Sequence, residues 1–244
     1  MMTNTKPHLY TCASPALLNL YNLHNSVVVI IDVLRATSTI ATALHNGAQY
    51  VIPVNSVPEC ILIAAEVGGI TAGERDGKIA EGLSYTNSPA AYPRSFIKNK
   101  KLVLTTTNGT KLLDMALQYK AETIITGSFP NLTAVSSYLV AQGKNVILGC
   151  AAWKDRPNIE DMLFAGAVIA QIKQHFNISC DTSIIAEMLY NNAQPNLFEF
   201  MKNNHASHYL RLHNFGVDDD MRYCLTPDVA PVVPLYVDGK LIAV

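Results

Sequence analysis

The chain has 244 residues, 49% hydrophobic and 15% charged, with 18 Lys+Arg against 19 Asp+Glu. This composition supports a sizeable buried core and excludes a disordered chain. The formal net charge of -1 provides no basic field for nucleic acid, and the longest apolar stretches fall short of a membrane span.

Five widely spaced cysteines, Cys12, Cys60, Cys150, Cys180 and Cys224, include no C-x-x-C pair. They argue against a disulfide scaffold and a structural zinc site. The opening residues Met1-Met2-Thr3-Asn4-Thr5-Lys6-Pro7-His8 are polar and lack the apolar segment of a targeting signal. A reduced cytoplasmic protein is expected, and the hydrophobic share is compatible with a homodimer.

The β-branched run 27–31 predicts a strand covered on both faces, and 39–46 a helix closed by Gly47. A strand follows at 50–54, then a helix capped by Ser56 and ended by Gly68-Gly69. A short strand at 70–72 feeds Gly73-Glu74-Arg75-Asp76-Gly77-Lys78. Residues 79–93 read as a long functional loop with one helical turn after Ser88-Pro89. Strands at 101–105, 123–126 and 146–148 then alternate with helices at 110–119, 132–141 and 158–175. Beyond 177 the pattern turns helical (181–190, 196–203, 207–215) and ends in a hairpin at 236–242 with an Asp238-Gly239 turn.

The expected fold class is therefore α/β: a mostly parallel sheet with helices on both faces, plus a more helical C-terminal region ending in a β-hairpin. A single domain over 1–244 is expected, with an α/β core at 27–176 and the helical and hairpin region at 177–244. Ligands bind outside the carboxyl ends of such strands. Asp32, Glu74, Thr105, Thr106 and Cys150 each lie at or just past a predicted strand end, so they should converge on one edge.

Two strand-to-helix junctions carry most of the chemistry. Asp32-Val33-Leu34-Arg35-Ala36-Thr37-Ser38-Thr39 offers a carboxylate, a forked cation and three hydroxyls. Thr105-Thr106-Thr107-Asn108-Gly109-Thr110 turns into a helix whose start is lined with hydroxyls, a seat for phosphate. Asp32 reads either as a metal ligand or as a helix cap paired with Arg35. Thr37 and Ser38 read either as oxyanion donors or as caps. Glu160-Asp161, in the first turn of a helix, suits the helix dipole and also a hard cation such as Mg²⁺. His205 and His208 read as surface or capping residues, Asp218-Asp219-Asp220 as a solvated turn, and Trp153 as a core or interface residue.

The phosphatase chemistries can be compared. An aspartyl nucleophile is expected with a second acid two positions on, and Leu34 stands there. Cys150…Arg156 has the spacing of a cysteine phosphatase, but the residues between contain no glycine to nest an anion, and Asp155 would repel phosphate. Metal-activated water attacking a phosphate held by Arg and Thr remains.

Val29-Ile30-Ile31-Asp32-Val33-Leu34-Arg35-Ala36-Thr37-Ser38-Thr39, Gly73-Glu74-Arg75, Asn87-Ser88-Pro89, Thr105–Thr110 and Glu160-Asp161 with Ala165-Gly166 together resemble the 2-phosphosulfolactate phosphatase family. The resemblance runs in order over roughly 27–166. It implies a Mg²⁺-dependent hydrolase converting (2R)-O-phospho-3-sulfolactate to (2R)-3-sulfolactate and phosphate, a step towards coenzyme M. It also implies Asp32, Glu74, Glu160 and Asp161 as metal ligands or acid/base groups, with Asp32, Arg35, Glu74 and Glu160 catalytic. Arg75, Thr37, Ser38, Asn87, Ser88, Thr105, Thr106, Thr107, Asn108, Gly109 and Thr110 become substrate contacts. Two positions depart from the family pattern: Thr86 replaces a glycine before Asn87, and Cys150-Ala151-Ala152-Trp153-Lys154-Asp155 lacks a glycine-containing turn. The alternatives are a non-catalytic anion- or nucleotide-binding protein and a cysteine hydrolase using Cys150.

Overall fold

A computed structural model describes residues 6–75, 78–106 and 109–244. Among the described residues ten strands form one sheet: β1 Leu9–Cys12, β2 Ser26–Ile31, β3 Tyr50–Val54, β4 Ile70–Arg75, β5 Lys78–Ile79, β6 Lys101–Thr105, β7 Thr123–Gly127, β8 Asn145–Cys150, β9 Pro234–Val237 and β10 Lys240–Ala243. The helices are α1 Ala36–His45, α2 Val57–Val67, α3 Arg94–Ile97, α4 Gly109–Gln118, α5 Leu132–Gln142, α6 Ile159–Ile172, α7 Asp181–Ala193, α8 Leu197–Asn203, α9 Ser207–Asn214 and α10 Asp218–Cys224.

The strand order is β1-β8-β2-β7-β9-β10-β3-β6-β4-β5. Two parallel blocks, β1-β8-β2-β7 and β3-β6-β4, flank the antiparallel β9–β10 hairpin. The hairpin grips each block through one register pair, Ile125 with Leu235 and Leu241 with Val51. The α/β class and the mostly parallel sheet thus match the sequence. The hairpin, however, sits mid-sheet, between the two parallel blocks, rather than at the end of a separate helical region.

β2 buries all six of its residues, as its β-branched run demands. α1 is buried from Ala36 to Leu44 and packs against β3, β7, β9 and β10. Its hydroxyls are largely absorbed inside: Ser38 Oγ donates to Val33 O at 2.8 Å, and Thr42 Oγ1 donates to Ser38 O at 2.8 Å. Ser56 caps α2 by accepting the Glu59 N–H, and Gly68 closes it at φ 65°. α6 and α7 approach so closely that a Cβ on Gly166 would meet Ala186 O at 2.0 Å.

Four elements, β1, β5, α3 and α10, are absent from the sequence reading. β1 is only four residues long, and α3 a single turn. Asp218–Asp220 is the first turn of α10 rather than a solvated turn, where acids complement the helix dipole.

In a flat sheet β2 and β4 would lie roughly 29 Å apart at the usual strand spacing. Yet Arg35, just past β2, reaches Glu74 on β4 with Nη2 to Oε2 at 3.3 Å. The sheet therefore curls around α1, and this curl brings the carboxyl ends of the two parallel blocks together over one cleft.

Candidate active site

That cleft is a cavity of about 260 Å³. One wall comes from the β2–α1 junction, β4 and the end of β6, bringing Asp32, Arg35, Glu74, Arg75, Thr105 and Thr106, with Asn87 from the long loop. The facing wall comes from the β8–α6 loop and α9, bringing Trp153, Lys154, His208 and Arg211.

Asp32 ends β2 where the chain turns into α1, and its carboxylate accepts the backbone N–H groups of Ala36 and Gly109. A Cβ on Gly109 would stand 3.1 Å from Asp32 Oδ2, so glycine lets α4 begin against the acid. Two helix N-termini thus converge on one carboxylate. Burial pushes the Asp32 pKa up from 3.8 to about 6; the neighbouring Glu160 adds to the rise, while the backbone amides of Ala36 and Gly109 oppose it.

This arrangement corrects the expected phosphate seat. Gly109 N–H serves Asp32, and Thr110 N–H donates to Thr106 Oγ1 at 3.3 Å. The side chain of Asp32 takes the anion position at these helix starts. Thr107 and Asn108, also expected as contacts, lie outside the described residues.

Thr37, Ser38 and Thr110 do not line the cavity. Thr37 Oγ1 accepts the Asp32 N–H at 3.2 Å, Ser38 bonds Val33 O, and Thr110 Oγ1 donates to Thr106 O at 2.9 Å. These short hydroxyls lock the two junctions rather than face a ligand.

Arg35 is not paired with Asp32. Its Nη1 bonds Asp220 Oδ2 and its Nη2 bonds Glu74, with only 2% of its side chain exposed. Ser88 Oγ donates to Asp220 Oδ1 at 2.8 Å, so Ser88 acts on Arg35 through Asp220 and lies off the cavity. Arg75 donates to Glu74 O at 2.7 Å and to Thr105 Oγ1 at 3.4 Å. A Cβ on Gly73 would meet Thr105 Cγ2 at 2.5 Å, so β4 and β6 close up here only because Gly73 has no side chain.

Asp161 sits deep behind the site. Its Oδ1 accepts Val33 N–H at 3.0 Å and its Oδ2 accepts Ala152 N–H at 3.2 Å, tying the β2–α1 and β8–α6 loops together. Each oxygen holds one backbone amide, so Asp161, expected among the metal ligands, anchors the two loops and does not line the cavity. Burial, Glu160 and Asp32 hold its pKa well above the usual carboxylate range.

Glu160 is 1% exposed, bonds His208 Nδ1 through Oε1, and leaves Oε2 buried with no partner. Arg211 Nη2 lies 2.6 Å from His208 Nε2. A guanidinium only donates, so Nε2 is the acceptor and the ring proton is on Nδ1, donated to Glu160. His208 is therefore a neutral, buried link between Glu160 and Arg211, not a surface histidine.

Asp32 and Glu160 fit a hard divalent cation: two mutually repelling acids, one facing the cavity and one with an orphaned buried oxygen. Among the described residues no cluster of three His, Cys, Asp or Glu stands ready to hold a metal. Mg²⁺ needs no such cage, taking one or two carboxylates with water and phosphate oxygens.

Cys150 is fully buried, does not line the cavity, and burial holds its thiol well above its normal pKa. That surroundings suit an inert core thiol and remove it as a nucleophile.

The sequence reading missed His208, Arg211, Lys154, Trp153 and Asp220. A signal existed for His208: it stands four positions before the apolar Leu212, on the same helical face, and both are buried.

No helix among the described residues is long and apolar enough to cross a membrane. Residues 12–239 match the family described as 2-phosphosulpholactate phosphatase. A protein of Thermotoga maritima named probable 2-phosphosulfolactate phosphatase is 40% identical over 214 residues, covering 88% of this chain and 90% of that one. A protein of the same name from Caldanaerobacter subterraneus subsp. tengcongensis is 36% identical over 235 residues, 91% and 96% of the two chains. One from Clostridium perfringens is 32% identical over 225 residues, 90% and 89% of the two chains. With the fold, the cleft and these relatives in agreement, the chain belongs to the 2-phosphosulfolactate phosphatase family, a family of phosphoric monoester hydrolases.

Proposed function

We propose that this protein is a Mg²⁺-dependent phosphatase that hydrolyses (2R)-O-phospho-3-sulfolactate to (2R)-3-sulfolactate and phosphate. The reading includes a cytoplasmic enzyme acting on the route to coenzyme M. One observation carries it: Asp32 and the start of α4, 77 positions apart by number, meet in a cleft ringed by cations. Arg35, Arg75, Lys154 and Arg211 face two carboxylates there, Asp32 and Glu74. That excess of positive charge matches a substrate carrying phosphate, sulfonate and carboxylate together.

In this reading Asp32 and Glu160 hold the Mg²⁺. Bound there, the ion would supply a water of lowered pKa and neutralise charge on the phosphoryl group. Arg35, fixed by Glu74 and Asp220, holds the phosphoryl oxygens without having to reorganise as charge develops. Arg75 steadies the same group from β4.

The test is phosphate release from 2-phosphosulfolactate with and without EDTA, and after thiol alkylation. Turnover that EDTA abolishes and alkylation spares is expected. Tight anion binding without turnover would favour a binding module instead, and retention in EDTA would remove the metal from the reaction.

A further inference from the structure

The wall opposite Asp32 has a construction of its own. A second cavity of about 130 Å³ adjoins the first and shares Trp153, His208 and Arg211 with it, adding Asn158 and Ser207. Arg211 stands at the junction of the two. Its guanidinium lies 5.0 Å from the Trp153 ring, whose face also carries Lys154 Nζ at 4.5 Å.

Of the three arginines that line the cavity, Arg35 and Arg211 differ in how they are neutralised. Arg35 is paired with two carboxylates, whereas among the described residues no ion pair joins Arg211 to an acid. Its polar contact is the lone pair of His208, itself fixed by Glu160. Arg211 is thus oriented but not charge-compensated, and the same holds for Lys154, which makes no ion pair among the described residues.

The loop that presents Trp153 and Lys154 is held in place. Ala152, Lys154 and Asp155 adopt φ of 60°, 52° and 60°, left-handed values that side chains disfavour. Ser14 Oγ bonds Asp155 O at 2.9 Å, and Lys111 Nζ bonds the Asp155 carboxylate at 2.6 Å.

We infer that Arg211, stacked on Trp153 and aimed by the His208–Glu160 pair, is the specificity-determining cation of the site and receives the substrate's sulfonate, with Lys154 beside it. His208 is a positioning residue that acts through Arg211. This inference rests on the phosphatase reading for its substrate, but not for the existence of the subsite. A sulfonate offers three acceptor oxygens to a fixed fork of donors, and a cation without a carboxylate partner need not break an ion pair to bind it.

The experiment compares kcat/KM for 2-phosphosulfolactate and for 2-phospholactate, which carries a methyl in place of the sulfonomethyl group. In Arg211→Gln the preference for the sulfonated substrate should fall at least ~10-fold, chiefly through KM. His208→Ala should lower the same ratio. His208→Gln, whose amide both donates and accepts, should restore most of it. A loss shared equally by both substrates, with the ratio unchanged, overturns the inference.

A second measurement needs no turnover: calorimetric binding of 3-sulfolactate to wild type and to Arg211→Gln. Binding lost in the variant supports the subsite even if phosphatase activity were absent. Equal binding to both proteins overturns it whatever the activity.

Discussion

The two walls of the cleft solve the same electrostatic problem in opposite ways. On the β2–α1 and β4 side, two charges are held before any ligand arrives: Arg35 by Glu74 and Asp220, Asp32 by the amides of Ala36 and Gly109. On the β8–α6 and α9 side, Arg211 and Lys154 lean on an indole and a neutral histidine. A preorganised wall suits the group on which chemistry occurs, because its dipoles need not move as charge develops. An uncompensated wall suits recognition of a second anion, because the ligand supplies the missing charge. The comparison separates rate from specificity along a physical boundary within one pocket.

The largest effect should come from breaking the paired wall. Arg35→Met takes the shared guanidinium away from Glu74 and Asp220, which are 21% and 12% exposed at the side chain. We expect a loss of about 3 kcal/mol in denaturant unfolding and about 10²–10³-fold in kcat. A variant of wild-type stability would show that the pairing is dispensable and the contrast between walls unfounded.

A smaller effect tests how the walls communicate. Glu160 raises the pKa of Asp32 across the base of the cleft. In metal-free Glu160→Gln that negative charge is gone, so Asp32 should titrate below its value of about 6. Carboxyl NMR titration of the folded variant reads this directly. An unmoved or raised Asp32 pKa would separate the two acids and weaken their pairing as cation ligands.

The paired wall was largely legible in the sequence and the other wall was not. Asp32, Arg35, Glu74 and Thr105 sit at the ends of apolar strands, where a polar residue is costly without a purpose, so local pattern alone marks them. The partner of Arg35 is 185 positions away, and nothing local ties Asp220 to it. His208 meets Glu160 over 48 positions and Arg211 over one helical turn. The pairs with Asp220 and Glu160 are products of the curled sheet and of α9 and α10 folding over its edge, and a single sequence carries no trace of them. The hydroxyls of Thr37, Ser38 and Thr110 misled for the opposite reason: they lie at the right junctions, but hydroxyls this close to a helix start bond their own backbone first. The hairpin was legible as a hairpin, from Asp238-Gly239, while its place between two parallel blocks was not.

Asp32 carries the central claim, that an acid held by two helix N-termini in a cation-ringed cleft exists for catalysis at some expense to the fold. Its raised pKa means the folded state favours the protonated acid. That contribution to stability is fully present below pH 3.8 and is lost as the pH rises through about 6. Asn cannot ionise and escapes the loss. The decisive measurement is therefore Asp32→Asn followed for both phosphate release and metal-free urea unfolding from pH 4 to 8. The account predicts at least a ~10²-fold fall in kcat together with a gain of up to about 3 kcal/mol over wild type at pH 7.5, most of it gone near pH 4. Near-normal turnover, or a variant less stable than wild type at pH 7.5, would contradict it.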